Sequence, residues 1–331
     1  MNYAEIFKRF ESLNVIIIGD VMIDSYWWGK VDRISPEAPV PVCTVTKKEH
    51  RLGGAANVAL NIVAMGANPI VCSVIGNDAE GRLLTELFTS NQMSVEGIVA
   101  SKNRCTTVKT RIIGNNSQML RIDEERNDSL SENDQIVLIE RVKQIINSKK
   151  IDALIFQDYD KGVITPSVIE KITSMAKNKS IPVCVDPKKR NFSEYKNADL
   201  FKPNLKELKE GLKIDNILPQ KDSLKKAADI LHSTMGIGKV FITLSEYGVF
   251  IADYQSQTPN VHLLDAQLRK IADVSGAGDT VISVAALCMA LGIPTDELAK
   301  ISNMSGGLVC ESVGVVPIDK TRLLSELQRY E

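Results

Sequence analysis

The chain has 331 residues, 44% of them hydrophobic, enough to bury a substantial core in one large α/β unit with an appendage. Its 40 basic and 41 acidic residues nearly cancel, so no whole-chain field points to nucleic acid or to an acidic membrane as partner. Six scattered cysteines form no CxxC pair, three distant histidines form no zinc spacing, and the longest apolar run, near 281–293, is shorter than the about 20 residues a bilayer takes.

The N-terminal "MNYAEIFKRFESLN" mixes charges into an amphipathic pattern and lacks the apolar core of a signal peptide, which leaves a soluble cytoplasmic protein as the expectation. "NVIIIGD" (14–20) reads as a fully buried strand, "GGAANVALNIVAMG" (53–66) as a helix with glycines at both ends, "NPIVCSVIG" (68–76) as a strand and 78–92 as a helix. The alternation continues with strand 151–158, helix 165–178, strands 181–187 and 198–204, and helices near 204–211 and 219–235. Strand "KVFITLS" (239–245) pairs with "GVFIADY" (248–254), and helices fill 276–291, 295–312 and 319–329. Continuous apolar strands separated by amphipathic helices predict a mostly parallel sheet covered on both faces, a three-layer α/β/α arrangement. Such sheets bind ligands beyond the carboxyl ends of their strands, where Asp20, Asp24, Asp158, Asp186 and Asn204 fall.

Two stretches break the alternation. Residues 25–50 and 106–125 are rich in β-branched and aromatic residues with Pro and Gly-Asn punctuation, and they read as two inserted hairpin-like pieces. Decorated surface loops are one account. A small β lid that closes over a pocket is the favoured one, because Trp27 and Trp28 need something to cover.

"DVSGAGDT" (273–280) opens the apolar helix "VISVAALCMALG". The first N–H groups of a helix have no internal partner, so Gly276, Ala277 and Gly278 offer a place for a phosphate or a developing oxyanion. Asp279 would then stand within a turn of that anion, able to take a proton from an attacking hydroxyl; a glycine N-cap with an acid favoured by the dipole is the plainer account. "GGAANVALN" brings Gly53, Gly54 and Asn57 to a second small-residue helix start, which also suits tight helix–sheet packing. "KPNLKEL" sets Asn204 and Glu207 three apart on one helix face, suited to Mg²⁺-bound waters and phosphate oxygens or equally to helix capping. "TLSEYGV" offers a small loop at Gly248, and "DYDKG" an acid and Lys161 at a strand end. No GxxxxGK[ST] occurs, and "GAG" does not follow the first strand, so neither a P-loop nor a dinucleotide fingerprint is present.

With "GGAANVA" and "DVSGAGDT" the chain resembles the ribokinase (PfkB-type) sugar kinase family along nearly its full length. "GDVMIDSYWWGKVDRISPEAPVPV", "QDYDKG", "VDPKKRNFSEYKNADLFKPNLKEL" and "TLSEYG" are similar to one branch, the bacterial heptose 7-phosphate kinases that form the kinase half of ADP-heptose synthases. The resemblance implies one ribokinase-like kinase domain over 1–331 with lid segments about 25–50 and 106–125, using ATP and Mg²⁺. It implies Asp279 as general base, the Gly276–Gly278 amides as anion hole, and Asp24, Gly53, Gly54 and Asn57 as the sugar wall. Asn204 and Glu207 match the Mg²⁺–phosphate pair, with Glu207 reaching the metal through water, and Thr243, Ser245, Gly248 and Asn303 match positions around the nucleotide. Lys109, Arg111, Asp158 and Lys161 lie where the branch holds its substrate. Asp273 and Ser275, with carbonyls near Ser312 and Gly314, match a site for the monovalent cation, K⁺, that some members use.

The chain departs from the branch at Asn115, where an arginine is usual, and at Lys189, where glycine usually follows "DPK"; "KKR" (188–190) could restore a lost grip on a distal phosphate. No HxGH signature of the fused nucleotidyltransferase occurs, so a stand-alone kinase is expected. The expected reaction is ATP-dependent phosphorylation of D-glycero-D-manno-heptose 7-phosphate at its anomeric hydroxyl, for ADP-heptose and lipopolysaccharide core synthesis. The alternatives are a kinase of another sugar (hexose phosphate, ribose or nucleoside) and a non-catalytic nucleotide-binding regulator. Lid strands expose edges that pair between subunits, so a homodimer through the lid is expected.

Overall fold

The run NVIIIG forms β1 (Asn14–Gly19), and its alternating side chains feed two separate cores: Val15 and Ile17 enter one, Ile16 and Ile18 the other. A strand apolar on both sides belongs in the middle of a sheet covered twice. The computed structural model describes residues 2–329 with the exception of 268, so Met1, Leu268, Tyr330 and Glu331 of the expected 1–331 domain lie outside the described residues.

The remaining elements begin with α1 (Tyr3–Phe10), β2 (Val21–Ile34), β3 (Pro41–Gly54), α2 (Ala55–Ala64), β4 (Asn68–Gly76) and α3 (Ala79–Ser90). There follow β5 (Ile98–Ser101), β6 (Thr107–Gly114), β7 (Ser117–Glu124), α4 (Glu132–Ser148), β8 (Ala153–Gln157), α5 (Pro166–Asn178) and β9 (Val183–Asp186). The last part holds β10 (Leu200–Phe201), α6 (Leu205–Leu212), α7 (Lys221–Met235), β11 (Lys239–Thr243), β12 (Val249–Asp253) and β13 (Asn260–Leu264). Helices α8 (Ala277–Ala290), α9 (Thr295–Val309) and α10 (Lys320–Arg329) close the chain.

Nine strands form the main sheet in the order β13-β12-β11-β10-β9-β8-β1-β4-β5. Every neighbouring pair from β5 to β11 is parallel, and β12 and β13 add an antiparallel edge. Helices α1, α2, α3, α8, α9 and α10 pack on one face, and α4, α5, α6 and α7 on the other. The expected three-layer α/β/α arrangement with a mostly parallel sheet is what the chain adopts.

The two inserted segments form one separate four-stranded sheet, β3-β2-β6-β7. Each is a hairpin, and parallel pairing of β2 with β6, from Met22↔Thr107 to Gly29↔Gly114, joins them. The first hairpin is longer than its expected 25–50 span. Trp27 and Trp28 are half-buried: the Lys48 ammonium stands 3.9 Å over the Trp27 ring, and Trp28 stacks on Tyr26.

Some boundaries differ from expectation. The helix expected from residue 53 starts at Ala55, because Gly53 and Gly54 finish β3. Gly54 has φ +61°, and a Cβ there would collide with the Asp20 carbonyl, so glycine is required where the strand turns into α2. The strand expected over 198–204 shrinks to Leu200–Phe201. Helix α4 has no counterpart in the sequence reading; its exposed Ile136 and Val137 blur the apolar stripe that would have marked it. Strands β5 and β13, four and five residues long at the sheet margins, were also unforeseen. No helix among the described residues is long and apolar enough to cross a membrane.

Candidate active site

Parallel strands put their carboxyl ends along one edge of the sheet, and the chain uses four of them together. Strand β1 delivers Asp20, β8 ends at Gln157, β9 at Asp186, and Lys202 follows β10. Helix α8 starts over this edge. Its N-cap is Gly276, at φ +81°, with no side-chain cap; Ala277 N donates to the Val274 carbonyl at 3.3 Å, and the other first-turn amides face the edge without a side-chain acceptor.

Asp279, in the first turn of α8, is only 8% exposed. Its Oδ2 accepts from Asn57 Nδ2 at 2.6 Å; its Oδ1 accepts from the Tyr159 hydroxyl at 2.7 Å and from Gln157 Nε2 at 3.2 Å. Burial pushes its pKa up to about 6, against the Tyr159 and Asn57 hydrogen bonds that hold it down, with Asp186 adding to the rise and Lys202 opposing it. A carboxylate poised near neutrality suits a general base. Asn61 fixes the helix pair that carries it: its Nδ2 donates to the Asn57 carbonyl (2.9 Å), and its Oδ1 accepts from Thr280 Oγ1 and Ile318 N (3.0 Å each).

Lys202 supplies fixed positive charge here. It is 2% exposed, pairs with Asp186 at 3.1 Å, and its ammonium lies 3.6 Å from where a Cβ of Gly278 would stand. Gln157 Nε2 also donates to Asp186 at 3.3 Å. The Gly276–Gly278 turn therefore faces helix amides and a buried ammonium, the surroundings in which negative charge on a transferring group is stabilised.

Of the sugar-wall candidates, Asn57 reaches Asp279 directly. Gly53 lies against Asp24, and Asp24 Oδ1 pairs with Arg111 Nη1 at 2.5 Å across the smaller sheet. Lys109 and Lys161 come together through Glu125, at 2.8 and 2.7 Å, with Asp123 and Asn127 as further partners. Asp158 is not brought to this wall. It is 1% exposed, and its oxygens accept from Asp160 N, Asn191 Nδ2 and Tyr195 OH, so it braces the loop after β8. Asp20 braces the same loop by accepting from the amides of Tyr159, Lys161 and Val163; burial, then the nearby Asp158 charge, pushes its pKa up to about 6. Asn115, at φ +50°, makes the β6–β7 turn and bonds both backbone groups of Val31.

On the other side, Asn204 caps α6. It and Glu207 exchange side-chain and backbone bonds of 2.8 and 2.9 Å, so the capping arrangement is present. Glu207 Oε1 additionally pairs with the Lys188 ammonium. Both Glu207 oxygens thus have protein partners, so a hydrated Mg²⁺ would meet this carboxylate through its waters and not by direct ligation. Thr243 bridges to Asn204, Ser245 opens the short 3-10 turn before Gly248, and Asn303 Nδ2 donates to the Asp265 carbonyl at 3.0 Å. Asp273 accepts from Ser275 N (2.9 Å) and Gly314 N (3.0 Å), bonds that hold its pKa down and tie together the two loops expected around a monovalent cation. No cluster of three or more His, Cys, Asp or Glu suited to a metal occurs among the described residues.

Gln157, Tyr159 and Lys202 were not singled out from sequence. Each sits in a run that reads as a strand or its end, and nothing local marks a polar residue there as facing Asp279.

A model of the pfkB family of carbohydrate kinases matches residues 12–322. Similar curated proteins include the bifunctional protein HldE of Desulfatibacillum aliphaticivorans, 40% identical over 319 residues, 96% of this chain and 64% of that protein. HldE of Trichlorobacter lovleyi is 38% identical over 322 residues, 97% of this chain and 64% of that protein. The chain thus spans less than two thirds of these relatives. Phosphofructokinase-2 from Escherichia coli in complex with potassium superposes with a TM-score of 0.76 at 20% identity, covering 96% of this chain and 99% of that one. A ribokinase of Arabidopsis thaliana complexed with ribose and ATP gives 0.69 at 17%, covering 95% and 99%. Both structural likenesses speak to the fold.

Proposed function

The chain belongs to the pfkB family of carbohydrate kinases, and from that premise we propose that it transfers the γ-phosphoryl group of ATP to the anomeric hydroxyl of D-glycero-D-manno-heptose 7-phosphate. The product is the 1,7-bisphosphate, destined for ADP-heptose and lipopolysaccharide core synthesis in the cytoplasm. The observation that carries the reading is Asp279, buried at the uncapped start of α8, bonded to Asn57 and set beside Lys202.

Asp279 takes the proton of the acceptor hydroxyl as the new O–P bond forms and the bond to the β-phosphate breaks, releasing ADP. Phosphoryl transfer asks for positioning and charge neutralisation. The α8 amides and Lys202 supply both from this chain. Mg²⁺, held through water by Glu207 beside Asn204, would neutralise further charge on the phosphate oxygens. The nucleotide would lie along Thr243, Ser245, Gly248 and Asn303, and K⁺ near Asp273 and Ser275. Asp24, Gly53, Gly54, Asn57, Lys109, Arg111 and Lys161 would line the acceptor side of a single kinase domain, and the lid would exclude water.

A second reading keeps the chemistry and changes the sugar, and it draws on Asn115, a turn residue at φ +50° that stands where the resembled branch usually has an arginine. A coupled assay of ADP release over a panel of acceptors tests both. Heptose 7-phosphate is expected to give the highest kcat/KM; turnover confined to hexose phosphates, ribose or nucleosides would sink the heptose reading, and ADP binding without transfer to any acceptor would leave a regulator.

The same proposal includes a homodimer through the lid. Its edge strands β3 and β7 and the exposed Val45 (39%), Leu120 (56%) and Ile122 (44%) offer an apolar surface with unpaired edges. Sedimentation is expected to give a dimer at micromolar concentration that Leu120→Glu weakens; a monomer throughout removes the dimer.

A further inference from the structure

The three donors on Asp279 are unevenly divided. Each carboxylate oxygen has two lone-pair directions. Oδ1 receives two donors, Gln157 Nε2 and the Tyr159 hydroxyl, while Oδ2 receives Asn57 Nδ2 alone. The open direction is therefore on Oδ2. That oxygen is also on the side of the anion turn, since Asn57 Nδ2 lies 3.2 Å from where a Cβ of Gly276 would stand. Asn57 Oδ1 is buried without a partner, an acceptor ready for a second hydroxyl of the incoming sugar.

We propose that Tyr159 is a positioning residue for phosphoryl transfer: its phenol holds Oδ1 of Asp279, so that Oδ2, beside Asn57, receives the acceptor's proton. The inference rests on the reading of Asp279 as base. Tyr159 is built for constancy. Its backbone amide donates to Asp20 Oδ2 at 3.0 Å, and its ring lies 5.9 Å from the Lys188 ammonium that pairs with Glu207. It thus spans from the proton acceptor to the nucleotide side. A phenol that donates to a carboxylate also stabilises the ionised form, offsetting part of the burial that raises the Asp279 pKa. The other groups around Asp279 are Gln157 on β8, Asn57 on α2, Asp186 on β9, Lys202 after β10 and Lys188 beyond β9, and replacing the phenol leaves all of them in place.

Tyr159→Phe keeps the ring and removes the donor. In protein carrying ¹³C-labelled aspartate carboxyls, with the Asp279 resonance identified by its loss in Asp279→Asn, the wild-type titration midpoint is expected at about 6. The variant's midpoint is expected to rise by about one pH unit, the size of one charge-assisted hydrogen bond. The acid limb of kcat/KM should move upward by the same amount, with kcat lowered and KM for ATP unchanged. A midpoint that stays or falls overturns the proposal. Fluorotyrosine at position 159, a stronger donor, should move the midpoint down, which keeps the test open if the phenylalanine variant folds poorly; no movement counts equally against it. The titration needs no acceptor, so failure of the heptose reading in the panel assay leaves this result separately readable.

Discussion

Asp279→Asn is expected to lower kcat by about 10³-fold, within the range general-base removal produces, while the affinity for an ATP analogue stays nearly unchanged. An amide matches the carboxylate in size but cannot take the acceptor's proton. The nucleotide, by contrast, would meet the α8 amides, and these depend on Gly276 and the uncapped helix start rather than on the side chain. Steady-state ADP release gives the first quantity and calorimetry with a non-hydrolysable analogue the second. Near-normal turnover would strip Asp279 of the role of base; normal chemistry with lost nucleotide binding would move its action to the phosphate. Because burial raises the group's pKa to about 6, the wild-type rate should fall as pH drops through that value.

Lys202→Met should be nearly as severe, and in two ways at once. Removing the ammonium takes fixed positive charge from beside Gly278, with an expected loss of about 10²-fold in kcat. It also leaves Asp186, itself only 5% exposed, as a buried acid without its ion partner, at a cost of about 3–5 kcal/mol in folding stability. Denaturant unfolding reads the second effect and single-turnover kinetics at saturating ATP the first. Since Gln157 still donates to Asp186, the variant is expected to fold below room temperature. Loss of stability with kcat kept within a few-fold would make Lys202 a counter-ion for Asp186 and nothing more.

Both variants probe a site whose parts differ in how openly the sequence carries them. The alternation of apolar runs and amphipathic helices, the glycine start of α8 and the acid in its first turn are local patterns, readable because backbone periodicity and helix-end electrostatics act over a few residues. The same is true of the Asn204–Glu207 spacing, although sequence left open whether it caps a helix or serves a ligand, and the structure shows the cap. Asp158 looked like Asp24, an acid near a strand end. Only the packing of Asn191 and Tyr195 against it separates a brace from a wall residue.

By itself, then, the sequence determined the layered α/β plan, the inserted strands of the smaller sheet and the turn that opens α8 beside Asp279. Tertiary structure alone decided what surrounds that acid: Asn57 arrives from 222 residues away, Tyr159 from 120, and Lys202 from just past a two-residue strand. The reason is physical. Propensity and periodicity are properties of neighbouring residues, whereas the basicity of a buried carboxylate depends on burial and on which donors and charges parallel crossovers bring within a few ångströms of it.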